Sequence, residues 1–218
     1  MKVAVFGATG GTGSLVVRKL VEQGHEAIAV SRKPAAFAGL EKPVESRTGD
    51  LFDQKFVKAA LADCDAAIIC LGINRKSKNL WSGAASPLNL MSSVVGAVVG
   101  AIGDDASKRL LYLSAFGVGE EHKHAMLFRF VLRTTSISSA YADHARAEQI
   151  IRSSALNWTI VRPPGLNDKE EEVELVDRGD RWSSFDSASR KSVAKFFDDA
   201  LENTALTRKT VTIGAKAG

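Results

Sequence analysis

No stretch of this 218-residue sequence is long and apolar enough to read as a membrane span. The most apolar candidate, residues 94–102, is interrupted by Gly96 and Gly100 and reads as a buried helix. Cysteine is almost missing. Cys64 and Cys70 are the only two, and their spacing matches neither a zinc pair nor a disulfide scaffold, so buried thiols are expected. Met1 and Lys2 enter an apolar strand at once, without the apolar segment and small-residue site of a signal peptide, and a cytoplasmic location is expected. A long basic tract is lacking too: 29 basic and 25 acidic residues are interspersed, and no nucleic-acid-binding module accompanies the net charge of +4. Neither a membrane nor a nucleic acid is expected as partner.

What is present is ordinary globular material, 45% hydrophobic and 25% charged, which excludes disorder and fibrous folds. The length suits one α/β domain over residues 1–218 and is too short for a comfortable pair. The chain begins with the apolar run Val3-Ala4-Val5-Phe6, the turn Gly7-Ala8-Thr9-Gly10-Gly11-Thr12-Gly13, and Leu15, Val16, Lys19, Leu20 and Gln23 at helical spacing. A second apolar run, Ala27-Ile28-Ala29-Val30, follows at the expected distance. In such a strand–turn–helix the glycines permit a tight turn, close backbone approach to a diphosphate and close helix–strand packing, and the helix N-terminus offers N–H groups to the anion. The turn therefore predicts a bound dinucleotide on Gly7, Thr9, Gly10, Gly11, Thr12 and Gly13; the competing reading is a purely structural turn.

Arg32 and Lys33 follow the second strand, where NAD-preferring sites usually carry an acid. Two cations suit a 2′-phosphate, so NADPH is expected over NADH; the bland reading is a pair of solvated side chains. Residues 44–47 read as a weak strand, and Asp50-Leu51 stand where the adenine edge would lie. Asp50 is either an acceptor for the adenine amine or a turn residue before a helix over 53–62. The run 66–71 is a buried parallel-type strand, with Leu71 and Gly72 at its cofactor-facing end. Residues 73–86 read as a polar loop, 87–102 as a buried helix, and 109–114 as a strand with Ser114 at its carboxyl end. Glu120, Glu121, His122 and His124 resemble a metal set, but the intervening Lys123 argues for a solvated loop, and no metal is expected. Leu127, Phe128, Phe130, Val131 and Leu132 read as core, or as a cap over a substrate pocket. A helix is expected over 141–153, then a strand 158–162 broken by Pro163-Pro164, an acidic tract 168–174 facing solvent, a helix 189–202 and a last strand 210–213. The alternation predicts a doubly wound, mostly parallel Rossmann-type α/β sheet with helices on both faces and a small C-terminal region completing the pocket.

These residues together resemble the atypical short-chain dehydrogenase/reductase family, in the group of NmrA-like proteins, biliverdin reductase B and flavin reductases. The carriers are the Gly7 to Gly13 turn, Arg32, Gly49-Asp50, Leu71-Gly72, Leu113-Ser114-Ala115-Phe116, His144-Ala145-Arg146-Ala147-Glu148 and Arg162-Pro163-Pro164-Gly165-Leu166. The resemblance implies diphosphate on the turn, Arg32 on the 2′-phosphate, and Ser114 with Pro163 and Pro164 near the nicotinamide. His144 falls where many relatives have a lysine touching the cofactor. Two departures matter. Tyr141 is followed four residues later by Ala145, not by the lysine of Tyr-x-x-x-Lys that makes tyrosine a workable acid. Gly165 follows the two prolines where some biliverdin and flavin reductases have a histidine.

A site without an acid suits flavins or quinones, which accept hydride and draw their proton from solvent. The expected activity is NADPH-dependent reduction of such a planar small molecule by a monomer or small homo-oligomer, with Ser114 catalytic, orienting the carboxamide or donating to the reduced acceptor, or else only a strand-end serine. The rival reading is a non-catalytic NADP(H)-binding redox sensor of NmrA-like type. A nucleotide-sugar epimerase or dehydratase is weaker, because it needs the acid/base pair that Ala145 removes.

Overall fold

The strand at the middle of the protein, β1 (Lys2–Phe6), has a buried residue at every position from Val3 to Phe6. A computed structural model describes residues 1–72, 86–119, 137–179 and 186–215. In chain order the elements are β1, α1 (Gly11–Glu22), β2 (Glu26–Ser31), β3 (Glu45–Thr48), α2 (Gln54–Leu61), β4 (Ala66–Ile69), α3 (Leu90–Ile102), β5 (Arg109–Leu113), α4 (Ile137–Arg152), β6 (Asn157–Arg162), β7 (Gly165–Asn167), β8 (Leu175–Asp177), β9 (Ser187–Ser189), α5 (Arg190–Leu201) and β10 (Lys209–Ala215).

The main sheet has eight strands in the order β3-β2-β1-β4-β5-β6-β10-β8, all parallel except the antiparallel edge strand β8. Strands buried on both faces send alternate side chains to opposite layers. Val3, Val5, Ala27, Ala29 and Ile68 face one core with Leu20 of α1 and Phe197 of α5. Ala4, Phe6, Ile28, Val30 and Ile69 face a second core with α2, α3 and α4. The doubly wound α/β expectation is met. Between β1 and β4 the strand order reverses, and ligands of such sheets bind in the crevice outside the carboxyl ends there.

Local signals place most boundaries. Asp53 caps α2 by accepting from the Lys55 N–H, and Ser189 caps α5 by accepting from the Ser192 N–H. The α4 helix begins four residues before the expected start at 141, so Tyr141 lies inside it. A second, two-stranded parallel sheet joins β7 to β9; these three-residue strands carry no periodicity that the sequence reveals. The residues of the 120–124 histidine and carboxylate cluster, the apolar 127–132 group and most of the 73–86 loop lie outside the described residues. Among the described residues no helix is long and apolar enough to cross a membrane.

Candidate functional site

Gly7 ends β1 with φ +83°, and a Cβ there would sit 2.5 Å from the Cys70 carbonyl oxygen, so only glycine lets β1 leave the sheet this close to β4. A Cβ on Gly13 would lie 2.2 Å from the Gly7 carbonyl oxygen, which makes Gly13 the residue that lets α1 dock on the turn. The α1 N-terminus has no side-chain cap. Its first-turn N–H groups have no intrahelical acceptor and face a cleft of about 620 Å³. Bare glycine backbone and an uncapped helix N-terminus fit a dinucleotide diphosphate.

Most expected residues meet in this cleft. Gly7, Thr9, Gly10, Gly11, Thr12, Arg32, Leu51, Leu71, Gly72, Ser114 and His144 all line it. Gly13 is buried beneath the turn rather than in the lining. Lys33 is exposed and outside; its backbone carbonyl accepts from the Ser31 hydroxyl at 2.5 Å. Asp50 is outside too, with Oδ1 accepting from the Phe52 N–H at 2.9 Å, which is the turn role of its two readings. Pro163 and Pro164 are buried outside the lining, and the Pro163 carbonyl accepts from the Phe116 N–H at 2.9 Å. Leu166 and Asp168, a little further along, line the cleft instead.

The floor of the cleft is a buried polar network. Ser114 Oγ donates to Glu148 Oε1 at 2.6 Å. The same carboxylate accepts from Arg162 Nε at 2.9 Å and Nη2 at 2.7 Å, and from Arg152 Nη2 at 2.8 Å. The Ser114 proton is therefore committed to a carboxylate, and its lone pairs remain. Of the two roles read from the sequence, donation to a reduced acceptor loses its proton, whereas orienting an amide N–H keeps its acceptor.

His144 Nδ1 lies 2.6 Å from the Tyr112 hydroxyl. Burial pulls the imidazole down to about 4, against the opposing pull of Glu148 and Asp143, and burial pushes Tyr112 well above its ordinary value. The pair is a neutral imidazole and an intact phenol. The Tyr112 hydroxyl and His144 Nδ1 are hydrogen-bonded to each other, with the donor set by the imidazole tautomer. Tyr141 donates to the Phe116 carbonyl at 2.9 Å. Buried Asp143 accepts from the Met91 and Ser92 N–H groups and from Ser92 Oγ, which fixes α4 against the start of α3. Cys70 lines the cleft as a thiol that burial keeps protonated.

Sequence reasoning missed Arg190 and Asp168, which line the cleft from the C-terminal region, and gave no role to Glu148 or Arg162. Nothing local marks Arg190, whose neighbour Gly11 stands at the other end of the chain.

The family described as NAD(P)H-binding matches residues 7–204. Solved structures similar to the chain include a putative NAD-dependent epimerase/dehydratase from Bacillus halodurans, 19% identical over 99% of this chain and 94% of that one, with a TM-score of 0.78. A short-chain dehydrogenase/reductase of wide type from Veillonella parvula, in complex with NADP, is 19% identical over 99% and 95%, with a TM-score of 0.74. An anaerobillin reductase from Escherichia coli is 18% identical over the whole of both chains, with a TM-score of 0.76. At these identities the structures speak for the fold, and the family match covers most of the sequence. The chain belongs to the NAD(P)H-binding family, and its motifs resemble those of the atypical short-chain dehydrogenase/reductases.

Proposed function

We propose that the protein is an NADPH-dependent oxidoreductase that reduces a planar, electron-poor small molecule such as a flavin or quinone. The observation that carries this reading is the engagement of the three hydroxyls around Ser114 and His144: Ser114 donates to Glu148, Tyr141 donates to the Phe116 carbonyl, and Tyr112 is bonded to His144. A carbonyl substrate needs a positioned proton donor, and these hydroxyls are engaged elsewhere. When bound, the nicotinamide supplies the hydride. The turn residues Gly7, Thr9, Gly10, Gly11 and Thr12 would hold the diphosphate, and exposed Arg32 at the cleft would meet the 2′-phosphate and favour NADPH. Leu51, Leu71 and Gly72 would flank the adenosine and ribose. Ser114 would orient the carboxamide by accepting its N–H, and His144 would line the site as a neutral imidazole that does not titrate near neutrality. The likeness to an anaerobillin reductase supports a reductase. The engaged hydroxyls are equally compatible with a sensor that binds NADP(H) without turnover.

One assay separates the two. NADPH binding is measured by calorimetry, and its loss of near-ultraviolet absorbance is followed with a panel of flavins, quinones and tetrapyrroles. Oxidation with at least one acceptor is expected; tight binding with none selects the sensor. Ser114→Ala should lower turnover on the order of tenfold or more while NADPH affinity changes by no more than about fivefold. Unchanged turnover would remove Ser114 from the chemistry.

A further inference from the structure

Asp168 and Arg190 stand side by side because the β7–β9 ladder pairs Asn167 with Ser189 in parallel register, so the next residue of each strand emerges at the same end. Arg190 opens α5, and its Nη1 donates to Asp168 Oδ1 at 2.6 Å. The same side chain lies along the glycine turn: a Cβ built on Gly11 would sit 3.2 Å from Arg190 Nε. Both residues line the cleft that Gly10, Gly11 and Thr12 also line. A cation is thus held against the stretch of cleft where an anion would bind, and its counter-ion is a carboxylate whose side chain is 85% exposed.

The acidic segment stays in place by other means. Lys191 pairs with Glu170, and Lys19 of α1 pairs with Glu172 at 2.9 Å. Asp168 can therefore release Arg190 while its neighbours still anchor the segment. An ion pair this exposed is screened by water and contributes little. A guanidinium contact to a phosphate oxygen at a glycine turn is charge-assisted and stronger.

We propose that Arg190 is a further diphosphate-binding residue of this site and that Asp168 competes with the diphosphate for it. The inference rests on the dinucleotide reading of the cleft. Because the diphosphate is common to both cofactors, Arg190 should act on NADPH and NADH alike, whereas Arg32 should act on NADPH alone.

The test is calorimetric titration of the full chain with NADPH and with NADH, in the wild type, Arg190→Ala and Asp168→Asn, with folding monitored by thermal melting. Arg190→Ala should weaken both cofactors by about 10- to 150-fold. Asp168→Asn should strengthen both, by up to about fivefold, since it removes a competitor. Opposite signs from the two halves of one ion pair are the signature. If both variants weaken binding alike, or Arg190→Ala leaves it unchanged, the pair is merely structural and the inference is overturned. If the wild type binds neither cofactor, the dinucleotide reading fails and this inference fails with it.

Discussion

Replacing Glu148 by glutamine removes one charge and almost no volume, so it isolates the electrostatic part of the network under Ser114. The side chains of Glu148 and Arg162 are 4% and 7% exposed, and two guanidinium nitrogens reach the two carboxylate oxygens. A glutamine offers one oxygen and one NH2 in that place, so the NH2 confronts an Arg162 donor and a buried guanidinium loses a charged partner. Breaking a buried pair in this way costs about 3–5 kcal/mol. For a chain of this size that corresponds to a fall in Tm on the order of 10 °C. Arg152 reaches the same carboxylate but is 46% exposed, so Arg152→Ala should cost less than about 1 kcal/mol. Urea unfolding at neutral pH of Glu148→Gln, Arg152→Ala and the wild type measures both. A cost for Glu148→Gln no larger than that of Arg152→Ala would mean that water already solvates the pair, and would refute the view of Ser114 as an acceptor held by a dry carboxylate.

Two further outcomes follow from single residues. Arg32→Ala should weaken NADPH by about 10- to 150-fold and leave NADH nearly untouched, measured as Kd for each; equal losses would remove the 2′-phosphate assignment. His144, at about 4 in the fold against about 6.5 in an unfolded chain, binds its proton more readily when unfolded. Its contribution is therefore fully present above about pH 6.5 and is lost as the pH falls toward 4, by up to about 3 kcal/mol. The drop in unfolding free energy between these pH values should be smaller in His144→Gln than in the wild type, and an identical pH slope would show that the imidazole is solvated.

The glycine turn, the apolar runs and the caps are local features, and their meaning survives without knowing what lies opposite them. Gly7 turns the chain out of β1 with a positive φ and Gly13 lets α1 dock against the Gly7 carbonyl, both demands made within a few residues, although Gly7 is also pressed by Cys70 across the sheet. Val3 to Phe6 and Ala27 to Val30 announce buried strands by composition alone, and Ser189 announces the start of α5. For the same reason the doubly wound sheet and the cofactor class were legible. Side-chain roles at the strand ends were not, because they depend on partners brought in by the fold. Ser114 and Glu148 are 34 residues apart, and Tyr112 and His144 are 32 apart; only the packing of α4 beside β5 decides where those protons go. Asp50 and Pro163 also take part in local backbone bonding, Asp50 with the Phe52 N–H and the Pro163 carbonyl with the Phe116 N–H, which position along the chain does not reveal. The strands β7 and β9 are three residues each, too short to signal themselves, yet their register brings Asp168 to Arg190. The sequence by itself determined the sheet, the turn and the class of ligand, since these rest on local backbone demands. The tertiary structure alone decided which groups around that turn keep a proton, a lone pair or a charge for the ligand, since that depends on what each side chain meets across the fold.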